Sequence, residues 1–305
     1  MSFNLFIEKY LNYIYNTYMK TFIVDNKFNN KKIDSFLFYK CNALTHNLFY
    51  KTLRKKDIRV NDNKICENVV LHTGDEVKIF LSDDKLFKTF NFEIVYEDEN
   101  ILIINKPAGI EVTGDKSITQ LIQQKYNSCD FPSPCHRLDR NTSGLLLFAK
   151  NQASLDILLS KFKNKEIKKH YLCKVYGIPK KNSDTLEAFL FKDTKKSMVY
   201  ISDSFKKGYQ KILTSYSIIK KDVISNTSIL DIELHTGRTH QIRAHLAYIG
   251  FPIIGDGKYG NNKINNKFGK KTQTLCSYKI IFDFTTDSGI LEYLNKKEFE
   301  IKISL

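Results

Sequence analysis

The sequence predicts a mixed α/β protein in two units, a small basic one followed by a larger one. Three observations carry this expectation. The chain has 305 residues, enough to bury one full core and a satellite domain. Residues 33 to 80 alternate short helical and strand patterns and are rich in lysine and arginine. From residue 91 onward, longer runs of period-two alternation are interrupted by a helical stripe at i, i+3, i+4 and i+7.

Residues 1–30 are aromatic and Asn-rich without clear periodicity and read as an N-terminal extension, with Met19 as an alternative start. The small module spans residues 31–82. In it Ile33, Phe36 and Leu37 share one helical face, and a second helix carries Phe49, Tyr50, Leu53 and Arg54. Ile58 to Val60 and Val77 to Ile79 read as strands, the latter after a Thr73-Gly74-Asp75 turn. Lys51 to Lys64 holds six basic residues against two acidic ones, a pattern that grips a phosphate backbone without reading bases. A linker around residues 82–91 leads to the larger unit, 91–305.

That unit opens with a hairpin, Ile94 to Tyr96 and Ile101 to Ile104, ending in Asn105-Lys106-Pro107-Ala108-Gly109. The nonapeptide HRLDRNTSG, His136 to Gly144, sets the carboxylate of Asp139 between two guanidinium groups. The continuous apolar run GLLLFAK then reads as a buried strand, so Asp139 sits on a polar loop at a sheet edge, where a nucleophile or base can be both held and reached. From the loop alone, a plain ion pair with Arg137 or Arg140 accounts for it as well. Past Asn151, a suitable N-cap, Leu155, Leu158, Leu159 and Phe162 form the helical stripe. Lys169 to Gly177 reads as a strand with Tyr171, Cys173 and Val175 on one face. Further strands are expected at Leu186 to Phe191, Met198 to Ile201, Lys211 to Ile219 and Ile229 to His235.

A helix from about Arg238 to Ile249 follows, capped by Gly250 and stopped before Pro252. Arg238, His240 and Arg243 crowd its first turn, where the helix dipole disfavours cations. An anion, either phosphate or a carboxylate such as Asp139, is expected beside them. A metal site is not: His235, His240 and His245 recur every five residues, about 140° past a full helical revolution, and so share no face.

Net charge is +15, with further lysine clusters at 161–169 and 257–271, which favours a polyanion as partner. The longest apolar runs are four to six residues, too short to cross a bilayer, and the first twenty residues do not form a secretory signal. Six cysteines without a CxxC pair point to reduced thiols and a cytoplasmic protein. No heptads or long exposed apolar stripes are evident, so a monomer is the default.

Two resemblances sharpen these expectations. Residues 32 to 80, including RVN and GDEV, resemble the S4-like (alpha-L) RNA-binding domain. INKPAG, HRLDRNTSGLLLFAK, KHYLCKVYG and LHTGRTHQIRAHLAYIGFPIIGD, in that order, resemble the RluA family of RNA pseudouridine synthases, over about residues 33–301. The resemblance implies the pseudouridine synthase fold: a mostly antiparallel central sheet with flanking helices and a cleft. It implies uridine isomerisation in RNA, with large-subunit ribosomal RNA as the target class, and no cofactor or metal. Asp139 takes the catalytic position, Tyr171 lies against the extruded base, and Arg238 is the ion-pair partner of Asp139. Arg137 enters the RNA stack, and Lys106, Arg54 and Arg59 complete the substrate contacts. Two places depart from the family pattern: Cys276-Ser277 replaces a His-Ala pair, and the loop Glu111 to Lys116 lacks the usual His and Pro. A binding protein on the same scaffold, an RNA-binding or ribosome-assembly factor without turnover, is the alternative. A small-nucleoside glycosidase fits less well, since no second carboxylate accompanies Asp139 in these motifs.

Overall fold

The computed structural model describes residues 19–303 apart from 42, 88–91 and 127. Most of the N-terminal extension therefore lies outside the described residues. The chain folds as two units, the second beginning at Phe92.

The first unit contains β1 (Met19–Ile23), β2 (Lys31–Lys32), α1 (Ile33–Lys40), α2 (His46–Arg54), β3 (Ile58–Val60), β4 (Asn63–Lys64), β5 (Val70–Leu71), β6 (Glu76–Phe80) and one helical turn, α3 (Asp83–Leu86). Its sheet runs β1-β6-β3-β4, and β2 pairs with β5. Ile33, Phe36 and Leu37 of α1 meet Phe49 and Leu53 of α2 in one core. The Thr45 hydroxyl caps α2 by accepting from the Leu48 amide at 3.2 Å.

Residues 19–30, expected to stand outside this module, are part of it. Strand β1 pairs with β6 from Met19 opposite Phe80 to Ile23 opposite Glu76. Val24 and Phe28 are buried, and the rings of Phe22 and Phe28 meet Phe36 edge-on at 6.3 and 5.2 Å. A five-residue strand and two rings packed against α1 carry no periodicity of their own. The expected linker is also shorter, because Leu86 is fully buried in the same core.

The second unit contains β7 (Glu93–Glu97), β8 (Ile101–Lys106), α4 (Ile118–Lys125), β9 (Ser133–Pro134), β10 (Ser143–Ala149), α5 (Gln152–Lys163), β11 (Ile167–Tyr176), β12 (Ser183–Asp193), β13 (Met198–Ser202), β14 (Gln210–Asp222), β15 (Thr227–Leu234), α6 (Gln241–Tyr248), α7 (Asn262–Lys267), β16 (Leu275–Phe282) and β17 (Glu298–Glu300). The strands form one sheet in the order β13-β12-β14-β15-β11-β16-β10-β8-β7, with β9 added to β10 and β17 to β16. Every pairing is antiparallel except β10 with β16.

Strand β10 is apolar on both sides because both sides are covered. Leu146 and Phe148 join the core that includes Ile242 and Leu246 of α6, whereas Leu145, Leu147 and Ala149 join the one that includes Leu158 of α5. Its second residue must be glycine: Gly144 has φ +109°, and a Cβ there would lie 2.1 Å from the Ser277 carbonyl oxygen. Asn151 caps α5, accepting from the Ser154 amide at 2.9 Å. The buried stripe of α5 is rotated from the one expected. Leu159 is 46% exposed, and Ser154 and Lys161 are buried instead.

Candidate active site

Asp139 lies on the loop between β9 and β10, and five hydrogen bonds at three anchoring points fix that loop. The Thr142 amide donates to the Asp139 carbonyl at 3.0 Å, and Gln273 Nε2 donates to Thr142 Oγ1 at 2.6 Å. On the other flank, the Gly109 amide donates to the Arg140 carbonyl at 2.8 Å, and Arg140 Nε returns a bond to the Gly109 carbonyl at 3.1 Å. His136 is the third anchor: its Nε2 accepts from the Leu147 amide at 3.2 Å, and burial pushes its pKa well down, so the ring is neutral.

The loop faces the start of α6. His240 adopts a left-handed conformation, φ 52° and ψ 18°, and the helix begins one residue later. Gln241 organises the turn before it. Its Oε1 accepts from Thr236 Oγ1 at 2.9 Å and from the Arg238 amide at 3.1 Å, and its Nε2 donates to the Leu213 carbonyl at 3.1 Å. Arg238 is thus left outside the helix, and Arg243 becomes its third residue, facing inward.

This geometry corrects the expected ion pair. The guanidinium on Asp139 belongs to Arg243, not Arg238: Arg243 Nη1 donates to Asp139 Oδ2 at 2.9 Å. The helix begins at Gln241, three residues later than the spacing predicted, so Arg238, which the resemblance had implied as the partner, lies before it. The anion expected at this helix end is nonetheless present, as Asp139 itself.

Arg243 is held from behind by Asp256, which accepts from Nε at 2.7 Å and from Nη2 at 3.1 Å, a bidentate clamp. Asp256 is 1% exposed, and its Oδ1 also accepts from the amides of Lys258 and Tyr259 at 2.8 and 3.0 Å. Burial pushes the Asp256 carboxyl up, but the Arg243 hydrogen bonds and charge outweigh it and hold the group below its ordinary range. Burial opposes the Arg243 charge, and the two carboxylates override it. His240 stands 3.9 Å from Asp139 Oδ2, with its Nδ1 2.8 Å from the Tyr259 hydroxyl, and burial lowers its pKa.

A cavity of about 260 Å³ opens over Asp139, close to the lower end of the range for small-molecule sites. Arg137, Asp139, Tyr171, Arg238, His240 and Arg243 all line it, together with Lys169, Leu234 and Leu275. Four of the residues expected at the site, Asp139, Tyr171, Arg137 and Arg238, therefore share one cavity. Tyr171 is 4% exposed, and burial raises its phenol well above the ordinary value. A shift of register between His170 and Tyr171, where β11 pairs with β16, sets its position.

The three other expected substrate contacts are not among the residues that line this cavity. Lys106 is fully buried and cannot meet substrate; its ammonium donates to the carbonyls of Pro107, Ile110 and Arg140 at 2.8, 3.0 and 3.1 Å. It braces the Asp139 loop from beneath, and burial brings its pKa down to about 8. Arg54 and Arg59 belong to the first unit. Arg54 is exposed on α2, and Arg59 lays its guanidinium over the Phe80 ring at 4.9 Å.

Sequence reasoning missed Asp256 and Gln241, which act through Arg243 and the turn. Asp256 is the only acid between Gly250 and Lys271, a signal available in the sequence.

Comparison with known proteins agrees with this geometry. Residues 100–248 match the RNA pseudouridylate synthase family. A ribosomal large subunit pseudouridine synthase C of Buchnera aphidicola subsp. Acyrthosiphon pisum is 37% identical over 255 residues, covering 77% of this chain and 79% of that protein. The protein of the same name from Haemophilus influenzae is 30% identical over 314 residues and covers 96% of each chain. Among solved structures, human RNA pseudouridylate synthase domain containing 4 shares the fold with a TM-score of 0.56 at 19% identity, over 70% of this chain and 88% of that one. The loop that carries Asp139, the strand that carries Tyr171 and the whole helix that carries Arg243 fall inside the matched segment, and the chain belongs to the RluA-type family of RNA pseudouridine synthases.

Proposed function

We propose that this chain isomerises uridine to pseudouridine in large-subunit ribosomal RNA, with Asp139 carrying the chemistry. The observation that supports this most directly is the cavity-lining carboxylate of Asp139. One of its oxygens is fixed by Arg243, itself clamped by Asp256. Such an anion is positioned without being consumed by its partner.

Isomerisation breaks the nitrogen glycosidic bond, turns the uracil within the pocket, joins its carbon 5 to the sugar and releases the proton from that carbon. Nothing is oxidised and no group is imported. Asp139 acts as a carboxylate on the sugar, on the base or on the 2′ proton. Everting a uridine costs a few kcal/mol of unstacking; Tyr171 offers an aromatic wall to the everted base, and Arg137 fills the gap it leaves in the stack. Arg238 is a rim contact to RNA.

The first unit is read as an S4-like RNA-binding domain. Support comes from its paired helices and from the exposed Lys51, Arg54, Lys55 and Lys56 at the end of α2. A cytoplasmic monomer fits these features; among the described residues no helix is long and apolar enough to cross a membrane.

The test uses ribosomal RNA from a strain lacking the protein, labelled with tritium at carbon 5 of uridine. Tritium release and new pseudouridine are expected with the wild-type chain and not with Asp139→Asn. RNA binding without either product favours the assembly-factor reading.

A further inference from the structure

Lys169 lies on β11 two residues before Tyr171, and it lines the same cavity as Asp139. Among the described residues its ammonium has no carboxylate within ion-pair distance and no hydrogen-bond acceptor. It stands over the ring of Phe162, 4.9 Å from the ring centre. Lys169 is half-buried, whereas the two fully buried lysines among the described residues of this unit are satisfied from within: Lys106 by three carbonyls, and Lys161 by Glu166 and Thr286. A cation taken from bulk water without a partner is costly, and one that opens onto a cavity is completed by what enters. Gly237 lines the same cavity close to this ammonium, since a Cβ there would lie 4.0 Å from Nζ.

The bases and sugars of RNA are neutral, and its anions are phosphodiesters. Arg137 and Arg238 line the same cavity and are exposed. They meet the strand from outside, whereas Lys169 sits deeper, beside Tyr171. We propose that Lys169 binds a phosphate flanking the everted uridine and so fixes how far the nucleotide enters the cavity. Burial brings the Lys169 pKa down to about 8, which leaves the ammonium mostly protonated at neutral pH. This inference rests on the proposed uridine isomerase reading.

The experiment pairs a change in the protein with one in the RNA. Wild type, Lys169→Met and Lys169→Arg are assayed in the full-length chain on a large-subunit ribosomal RNA fragment containing the modified uridine. A single neutral methylphosphonate replaces each flanking phosphate in turn. Lys169→Met is expected to raise KM about tenfold with a smaller effect on kcat, the scale of one charge-assisted contact. It should also lower the slope of log binding constant against log salt by about 0.7 to 0.9, and Lys169→Arg should restore it. At one flanking position the methylphosphonate should weaken wild type by the same factor and leave Lys169→Met unaffected. Additive losses at every position, or a fall in kcat alone, overturn the proposal.

Should Lys169→Met fail to fold, the methylphosphonate series on wild type and Lys169→Arg still decides, since indifference at both flanking positions overturns it. No pseudouridine from wild type on unmodified RNA sinks the parent reading instead.

Discussion

Among the described residues of the second unit, two clusters of charge differ in how completely they are satisfied. In the closed cluster, Lys161 and Glu166 are 1% and 4% exposed and 2.8 Å apart. Lys161 also donates to the Thr286 carbonyl and hydroxyl at 2.5 and 2.7 Å, and Glu166 accepts from the Thr285 and Thr286 amides and the Thr286 hydroxyl. Every strong donor and acceptor there has a partner, and nothing remains to act on a ligand. In the open cluster Arg243 is completed by two carboxylates, but among the described residues Asp139 is engaged through Oδ2 alone and Lys169 by no polar group. Burial of charge does not mark a site; incomplete satisfaction on a cavity wall does.

The sharpest way to break this contrast is to exchange what each cluster loses on mutation. Asp139→Asn should abolish turnover, by at least about 10⁴-fold or 5 kcal/mol, while circular dichroism and melting stay near wild type, because Asp256 still holds Arg243. Lys161→Met should do the reverse: about 3 to 5 kcal/mol of stability lost in denaturant titration, from stranding a buried carboxylate, with turnover unchanged at temperatures where the variant is folded. A large activity loss in folded Lys161→Met would erase the distinction.

Arginine exchanges sharpen it within the open cluster. Arg243→Lys cannot reproduce the fork that spans Asp139 and Asp256, and about a hundredfold loss in kcat is expected. Arg238→Ala, on the rim, should cost about tenfold and chiefly in KM. Equal kcat losses would restore Arg238 as the partner of Asp139.

A last effect, on stability and not on turnover, concerns His245, a buried group in neither cluster. It is 1% exposed, lies 3.1 Å from Thr214 Oγ1, and has its pKa brought down by burial to about 4. Below the unfolded value of about 6.5 the unfolded chain gains a proton that the folded chain refuses until about pH 4. Stability therefore falls as pH drops through that window, by about 3 kcal/mol at most. His245→Gln should flatten this part of the stability profile, and an unchanged slope would assign the acid sensitivity to other groups.

What could be read in advance follows from the range of the forces involved. The burial of Ile33, Phe36 and Leu37, the cap at Asn151, the two-sided apolar strand after Gly144 and the inward face of Tyr171, Cys173 and Val175 are each written in a few consecutive residues, because helix and strand periods repeat over short distances. The position of Asp139 on a loop entering that strand was legible for the same reason.

Three features were not. The left-handed turn at His240 left Arg238 before the helix, and Arg243 met Asp139 in place of the arginine the resemblance implied; Asp256, thirteen residues after Arg243, became its clamp; and Lys106 proved to be a brace where a substrate contact was expected. Sequence determined which residues could bear charge near the site and which strands would be buried. Tertiary structure alone decided which charges met, because ion pairing acts across a few ångströms between groups 104 positions apart in the chain, and no local pattern encodes which of several nearby cations arrives.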